Sequence, residues 1–355
     1  MPVYLIDQNR PSVFGARIPT IDDATMARYH STIYDGCEFG CDYCTGWSMS
    51  MRSLTESVRM MPNIAMRAQA ELATMHRDDV IGLIADSDPY QPAEPTYRRT
   101  RHVLQMCVEA QHPVVIMTKS PLVIQDIELI QQIYTDRFAM VIVTIISHNA
   151  DVQSRFEHKS PSTDERLALI RQLKKYDIPV GVALQPLIPY VNDTDYALKR
   201  LLSMISDAGA DYVYWDYLKI LNSRHYQRIN ESLIWLGNYP PSYLRNLYGN
   251  DSEVNRVYRQ ERNHVLLQLC DSLQLPIRLP FTYFARRFSL ERTVAYLLAQ
   301  HASRDDLMGR DVLAAQGRDL AQRVWHGEWP LAVLQKHPSY PIFQPLLGDT
   351  PLGNV

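Results

Sequence analysis

The chain has 355 residues, of which 46% are hydrophobic and 21% are charged, with both signs mixed along the sequence. This composition supplies the core of one large domain or two and excludes wholesale disorder. The formal net charge of −3 excludes a surface coated in basic residues, although nucleic-acid binding would need only a local stripe of Lys and Arg. We expect a cytoplasmic protein, because the first residues are polar and no uncharged apolar run approaches the length of a membrane span.

Apolar strand-like runs alternate with amphipathic helical patterns from about residue 30 to residue 215. Runs rich in β-branched residues predict strands at 30–34, 80–85, 114–118, 140–146, 180–184 and 211–215. Apolar residues at three- and four-residue spacing predict helices at 54–75, 97–110, 122–134, 163–176 and 196–208. Apolar strands without clean alternation, separated by helices, are typical of a parallel sheet covered by helices.

Six such strands predict an α/β fold, either an open doubly wound sheet or a partial (β/α)6 barrel. Both architectures place their chemistry at the carboxyl ends of the strands. Polar residues stand at several of these ends: Asp86, Ser87 and Asp88; Thr118, Lys119 and Ser120; residues 144–148; Gln185; and Asp216. Each of them is either an ordinary loop cap or a binding residue.

The pattern changes after about Leu221, where a segment rich in Tyr, Asn and Arg begins. Helical patterns resume at 265–273 and 290–301, and prolines at 338, 341, 345 and 351 suggest an extended tail. We therefore divide the chain into an N-terminal segment (1–28), a core (29–221) and a mainly helical C-terminal extension (222–355).

Three of the five cysteines fall within eight residues, in the spacing C-x3-C-x2-C at Cys37, Cys41 and Cys44. An odd, clustered set of cysteines favours a reducing compartment over a disulfide framework. Three thiolates on one tight loop predict a 4Fe–4S cluster, because thiolate is the preferred ligand of its irons. No fourth cysteine follows nearby, so one iron is left open, as a catalytic cluster requires.

A structural zinc site is the alternative for this segment, with His30 or His76 as the fourth ligand. Neither histidine stands at a usual ligand spacing, which favours the cluster. Cys107 and Cys270 stand alone in apolar, helix-like surroundings and are expected to be buried structural thiols.

The cysteine segment, with Tyr43 before the third cysteine, resembles the signature of the radical S-adenosylmethionine (SAM) superfamily. The resemblance implies a partial barrel of about six strands and an enzyme whose open iron chelates the amino and carboxylate groups of SAM. It implies that an electron from the cluster cleaves SAM to a 5′-deoxyadenosyl radical, which abstracts hydrogen from the substrate. It also implies a reductant such as flavodoxin or ferredoxin.

From about Tyr34 to about Ile220 the chain is similar to the spore photoproduct lyase branch, also labelled DNA repair photolyase-like. The stretches that carry the similarity are 86–92, 118–122, Phe156 with Glu157, Ser160 with Pro161, Arg166, and 185–189. The resemblance places Lys119 against the SAM carboxylate, since an ammonium is a good partner for an anion. It also assigns SAM contacts to Ser87 and Thr144 (the amino acid part or the ribose) and to Gln185 and Tyr43 (the adenine).

Two positions depart from the lyase pattern. Ala85 replaces a hydrogen-donating cysteine, and Thr45 replaces a tyrosine after the third cluster cysteine. Both lyase residues belong to the relay that returns a hydrogen atom, so the departures argue against reversal of a thymine dimer. We therefore predict hydrogen abstraction from an unidentified substrate, with lyase-like DNA repair and a non-catalytic iron–sulfur or zinc binding module as the rivals.

Nucleic-acid binding remains open on two sets of residues. One is basic and would contact phosphates; it comprises Arg98, Arg99, Arg101, Arg286, Arg287 and Arg292. The other is aromatic and would stack on bases; it comprises Tyr212, Tyr214, Trp215 and Tyr217. Solvated helix faces and barrel filling are the simpler interpretations of the two sets.

Overall fold

The computed structural model describes residues 2–50, 52–84, 87–237 and 242–347. Its strands are β1 (Val3–Ile6), β2 (Ala27–His30), β3 (Tyr34–Asp35), β4 (Ser57–Met60), β5 (Val80–Leu83), β6 (Val114–Thr118), β7 (Ala139–Thr144), β8 (Val180–Leu187) and β9 (Tyr212–Tyr217). The helices up to β9 are α1 (Gly46–Met49), α2 (Ile64–Leu72), α3 (Glu94–Tyr97), α4 (Arg99–Ala110), α5 (Ile127–Asp136), α6 (Ala150–Phe156), α7 (Thr163–Lys174) and α8 (Asp195–Asp207). The later helices are α9 (Ser223–Trp235), α10 (Tyr243–Tyr248), α11 (Arg256–Ser272), α12 (Leu290–Leu307), α13 (Asp311–Trp325), α14 (Leu331–Leu334) and α15 (Tyr340–Leu347).

The main sheet has six parallel strands in the order β2-β5-β6-β7-β8-β9 and curls into a half-barrel. The partial barrel predicted from the sequence is thereby confirmed. In its middle, Val141 of β7 stands beside Ile116 of β6 and Val180 of β8. Every residue of β7 is buried, as expected for a central strand that is covered on both faces.

The two faces of the sheet belong to different apolar clusters. On β7, Val141 and Val143 pack outward in the cluster that includes the surrounding helices, whereas Met140 and Ile142 pack on the inner face. This alternation follows from the two-residue period of a strand. The inner-face cluster continues into the C-terminal extension, which contributes Phe284, Tyr296 and Trp325 among others. The extension therefore fills the lower part of the half-barrel.

A second, three-stranded sheet has the order β1-β4-β3 and corrects two predictions. The predicted helix 54–75 is wrong in its first half, because Val58 and Met60 alternate inward as a strand and Pro62 separates them from α2. The predicted first strand 30–34 is displaced, since β2 ends at His30 and Tyr34 pairs with Met60 in the small sheet.

The C-terminal extension is mainly helical, as predicted, but the predicted extended tail is wrong for the described residues. Helices α14 and α15 occupy this region, and Pro345 lies inside α15. Pro341 is compatible with α15 because it stands in the first turn, where backbone N–H groups have no intrahelical partner. Pro351 lies outside the described residues. Within the described segments, no helix has the length and apolar character needed to cross a bilayer.

Candidate active site at the carboxyl ends of the strands

The cysteine segment follows β3 and is shaped by two glycines. Gly36 has a φ of +109°, and a Cβ there would lie 2.3 Å from the Ser57 carbonyl oxygen, so this residue has no room for a side chain. Gly40 has a φ of +62°, and a Cβ there would lie 2.6 Å from Cγ2 of Thr55. The amide of Cys37 donates to the Leu54 carbonyl at 2.9 Å. The segment is thus pressed against the chain that leads into β4.

Gln91, which is fully buried, clamps the start of the same segment. Its side-chain amide donates to the Gly36 carbonyl at 3.1 Å, and its oxygen accepts from the Glu38 amide at 2.9 Å. The sequence shows Gln91 only as part of the 86–92 stretch, so its role was not predicted. Bonds that satisfy both ends of a buried amide fix the backbone on either side of Cys37.

All three cysteines line one cavity of about 390 Å³ at the carboxyl ends of the barrel strands. The strand ends contribute Ile84, Ser87, Asp88, Met117, Thr118, Lys119, Thr144, Gln185, Pro186, Asp216, Tyr217, Leu218 and Lys219. The cysteine segment and its surroundings contribute Cys37, Phe39, Gly40, Cys41, Tyr43, Cys44, Thr45, Trp47 and Leu54. Every site residue predicted from the sequence, namely Cys37, Cys41, Tyr43, Cys44, Ser87, Lys119, Thr144 and Gln185, therefore stands around the same space.

Burial makes the Cys37 and Cys41 thiols harder to ionise than free cysteines. Burial, together with the nearby Cys41 and Asp88, raises the pKa of Cys37 to about 12. Burial also raises the pKa of Cys41, whose Sγ lies 3.6 Å from the Ser160 hydroxyl. No group of three or more His, Cys, Asp or Glu side chains among the described residues could hold a single metal ion. Three thiols around one cavity instead suit an iron–sulfur cluster, whose irons prefer thiolate ligands.

Lys119 brings a positive charge to the cavity just after β6. Burial opposes its charge, but the neighbouring Cys41, Glu157 and Asp88 outweigh burial and raise the pKa of Lys119. Its Nζ lies 5.8 Å from the centre of the Tyr43 ring. No carboxylate of the described residues lies within salt-bridge distance of this ammonium. Lys119 is therefore a charged group in the cavity that can receive an anion.

Asp88 holds the end of β6 in place for Lys119. Its carboxylate accepts from the Thr118 hydroxyl at 2.6 Å, from the Lys119 amide at 2.7 Å and from the Tyr90 amide at 2.8 Å. Burial raises the pKa of Asp88 in spite of these donors. The residue thus ties the carboxyl ends of β5 and β6 together beneath the cavity.

Three other residues predicted to contact SAM, namely Ser87, Thr144 and Gln185, also line the cavity. The Ser87 hydroxyl donates to the Tyr34 carbonyl at 2.5 Å, so part of its hydrogen-bonding capacity is used within the protein. The Thr144 carbonyl accepts from the Arg166 guanidinium at 2.9 Å at the top of β7. Gln185 precedes a cis peptide bond to Pro186, and both residues line the cavity.

Behind the cavity, Tyr43 belongs to a buried charged network. Its phenol donates to the Glu157 carboxylate, which pairs with Arg166 at 2.5 Å, and both charged side chains are fully buried. Burial opposes the charge of Glu157, but Arg166 and Lys119 outweigh burial and lower its pKa. Glu157 and Arg166 were noted in the sequence only as motif positions. The network fixes the Tyr43 ring at the cavity wall.

Thiols outside the cysteine segment stay away from the cavity. Cys107 on α4 and Cys270 on α11 are buried in the apolar core, which confirms the structural role expected of them. Burial raises the pKa of each to about 12. Thr45 lines the cavity, whereas Ala85 and Asp86 lie outside the described residues.

Three of the six basic residues noted in the sequence are engaged within the protein, whereas Arg98 and Arg286 are exposed. Arg101 pairs with Asp126 at 2.5 Å. Arg287 lies 4.1 Å above the Tyr134 ring, and Arg292 lies 3.6 Å above the Trp325 ring. Tyr212, Tyr214 and Trp215 are buried, and Tyr217 is buried at the cavity wall, so these four rings fill the barrel and its cover. Nucleic-acid binding stays a prediction.

The segment that contains the three cysteines matches a known protein family. Residues 31–202 match the model of the Radical SAM superfamily. An uncharacterized protein of Methanocaldococcus jannaschii is 24% identical over 224 residues, which cover 61% of this chain and 78% of the relative. An uncharacterized protein of Mycobacterium tuberculosis is 27% identical over 244 residues, which cover 66% and 71% of the two chains.

Among solved structures, spore photoproduct lyase complexed with dinucleoside spore photoproduct has a TM-score of 0.56 at 14% identity, covering 76% of this chain and 79% of the lyase. A doubly substituted mutant of that lyase, with bound AdoMet and dinucleoside spore photoproduct, has a TM-score of 0.54 at 13% identity and the same coverage. Residues 31–202 form a radical SAM domain, and the chain is a radical SAM enzyme. Within the class its fold is that of spore photoproduct lyase. The superfamily implies a 4Fe–4S cluster and SAM as cofactors.

Proposed function

We propose that Cys37, Cys41 and Cys44 hold a 4Fe–4S cluster and leave one iron open for SAM. The observation that supports this most is the arrangement of three thiols and the Lys119 ammonium around one cavity at the strand ends. The donor set fits the group, because thiolates bind cluster iron and a tight loop presents three of them. When bound and reduced, cluster and SAM together supply a 5′-deoxyadenosyl radical that abstracts hydrogen.

The SAM contacts are proposed on the residues that share this cavity. Lys119 would neutralise the carboxylate of SAM, a role that suits its charge and the lack of a close carboxylate partner among the described residues. Ser87 and Thr144 would bond the amino acid part or the ribose. Gln185 and Tyr43 would flank the adenine, with the Tyr43 ring held by Glu157.

The reaction we propose is hydrogen abstraction from an unidentified substrate, with SAM consumed and a flavodoxin or ferredoxin as the reductant. Thr45 stands in the cavity and offers only a strong O–H bond as a hydrogen source. The other thiols, Cys107 and Cys270, are not among the described residues around the cavity. Lyase-like DNA repair is the second candidate, and the shared fold with spore photoproduct lyase favours it.

The test is release of 5′-deoxyadenosine after anaerobic reconstitution, reduction with dithionite and addition of SAM, measured by mass spectrometry. We expect brown protein with about four irons per chain and steady formation of 5′-deoxyadenosine. The Cys41→Ala variant should lose colour and product, because two thiolates hold a cubane poorly. Cys107→Ala is the matched control and should retain both. A full cluster in a triple variant lacking Cys37, Cys41 and Cys44 would contradict the proposal.

A further inference from the structure

Helix α9 of the C-terminal extension lies directly on the cysteine segment. His225 donates from Nε2 to the Tyr43 carbonyl at 3.0 Å, and the Asn222 side chain donates to the Ser48 carbonyl at 3.0 Å. His225 is fully buried in this contact. Helix α9 and its N-cap residue Asn222 therefore bond to backbone carbonyls between Cys41 and Cys44 and shortly after Cys44.

Arg228 of α9 contacts both Asp42 and Trp47. Its guanidinium donates to Asp42 at 2.8 Å and lies 3.8 Å from the centre of the Trp47 ring. Trp47 in turn donates from Nε1 to the Cys41 carbonyl at 2.9 Å. A planar guanidinium suits both roles at once, since it bonds a carboxylate with its edge and stacks with its face.

Asp42 stands between Cys41 and Cys44, and two further side chains contact its carboxylate. The Ser232 hydroxyl donates to its carboxylate at 2.5 Å, and Nε2 of His158 lies 2.9 Å from it. The side chain of Asp42 is 7% exposed, so the ion pair with Arg228 is shielded on the acidic side. A buried carboxylate that accepts several hydrogen bonds holds its own backbone in one orientation. An exposed ion pair contributes little to stability.

We propose that α9 is part of the cluster site and that Arg228 is a positioning residue, which holds the turn from Cys41 to Cys44 through Asp42 and Trp47. Groups that orient metal ligands from behind typically change metal affinity about 10- to 100-fold when they are removed. This inference rests on the proposed cluster. It assigns to the C-terminal extension a task at the cofactor, in addition to filling the half-barrel.

The first experiment measures how fast reconstituted protein loses iron to a chelator under anaerobic conditions. We expect Arg228→Gln to release iron about tenfold faster or more, and Ser232→Ala to show a smaller increase. Arg171→Gln is the matched control, because Arg171 is an exposed arginine on α7 that is absent from the cavity lining. Wild-type protein without a cluster would refute the proposed function, whereas equal release by wild type and Arg228→Gln would overturn this inference alone.

The second experiment separates positioning from a general loss of stability by measuring the midpoint potential of the cluster. Removing the positive charge in Arg228→Gln should make the potential more negative, and removing the negative charge in Asp42→Asn should make it more positive. The double variant should return toward the wild-type potential, and it should lose iron no faster than the worse single variant. Unshifted potentials, or independent effects that multiply in the double variant, would show that Arg228 only stabilises the fold.

Discussion

Lys119 is the residue whose environment most clearly prepares it for a ligand. It keeps its charge against burial because Cys41, Glu157 and Asp88 surround it, and it faces the cavity. We expect Lys119→Ala to weaken SAM binding about 10- to 100-fold, the equivalent of a lost charge-assisted hydrogen bond of ~1.5–3 kcal/mol. Equilibrium dialysis with reconstituted protein measures this. The cluster content should not change.

A matched control is available in Lys175, an exposed lysine after α7. Lys175→Ala should bind SAM like the wild type. If Lys119→Ala also bound SAM like the wild type, Lys119 would be a lysine at a strand end that does not contact SAM.

At the scale of residues, the sequence predicted the groups that touch the cavity better than the groups that hold them. Cysteine spacing is local, so Cys37, Cys41 and Cys44 are visible within eight residues of sequence. The partner of Asp42 is not visible in this way, because Arg228 lies 186 positions away and only the fold brings the two together. Gln91 was missed for the same reason, since its bonds to Gly36 and Glu38 cross between separate segments.

Among the elements, α6 and α7 are joined by the buried pair of Glu157 and Arg166. Removing one partner of a buried pair leaves the other charge unpaired, which typically costs about 3–5 kcal/mol. We expect Arg166→Gln to lower the free energy of unfolding of the cluster-free protein by an amount in this range, measured by urea denaturation.

The exposed pair of Arg318 and Asp306 provides the comparison, with both side chains 52% exposed. Arg318→Gln should change the free energy of unfolding by less than about 1 kcal/mol. A similar loss in the two variants would mean that the buried network does not stabilise α6 and α7.

The turn between β8 and α8 contains Asp193, whose pKa burial raises to about 6. Its carboxylate accepts from the Tyr258 hydroxyl at 2.8 Å and from the Tyr190 amide at 2.6 Å. The folded-state pKa lies above the unfolded value, so the stability that this group contributes is complete at low pH and is lost as pH rises through about 6.

Asparagine cannot ionise, so Asp193→Asn should gain stability relative to the wild type between pH 5 and pH 7.5, by on the order of 1–3 kcal/mol. Thermal unfolding of both proteins across this pH range measures the difference. A difference that does not depend on pH would contradict the raised pKa of Asp193.

The elements themselves were predictable where burial on both faces produced a continuous apolar run. Strand β6 was predicted at 114–118 and observed at Val114–Thr118 for this reason. The small sheet was not predicted, because the apolar positions of β4 match helical spacing when they are read together with α2. Helix α9 was not predicted either, because two of its four buried positions are the polar residues His225 and Ser232, which do not extend an apolar pattern.

At the scale of the whole molecule, the chain shares the fold of spore photoproduct lyase, but a shared fold does not by itself establish the lyase reaction. A lyase must return a hydrogen atom to its product radical, and a thiol suits this step because its S–H bond is weak. No thiol other than Cys37, Cys41 and Cys44 is among the described residues around the cavity, and Tyr90 is buried against Asp126. We therefore expect 5′-deoxyadenosine without clean recovery of thymines from spore photoproduct.

Mass spectrometry of products from an oligonucleotide that carries the lesion tests this expectation. SAM should be consumed in proportion to any turnover, with 5′-deoxyadenosine accumulating. Efficient repair with SAM regenerated would show that a residue such as Cys107, Cys270 or Tyr90 supplies the hydrogen after all.

The filling of the lower half-barrel by the C-terminal helices has a kinetic consequence. Tyr212 and Tyr214 from the sheet meet Phe284 and Tyr296 from the extension in one packed layer beneath the cavity. We therefore expect small molecules to enter on the side of the strand ends, where Asp216 and Lys219 stand half-exposed. The three cysteines and the residues proposed to bind SAM line this same cavity, so we expect SAM and substrate to enter from this side. We expect an ordered sequence of binding, with SAM entering first and the spent nucleoside unable to leave until the product has departed.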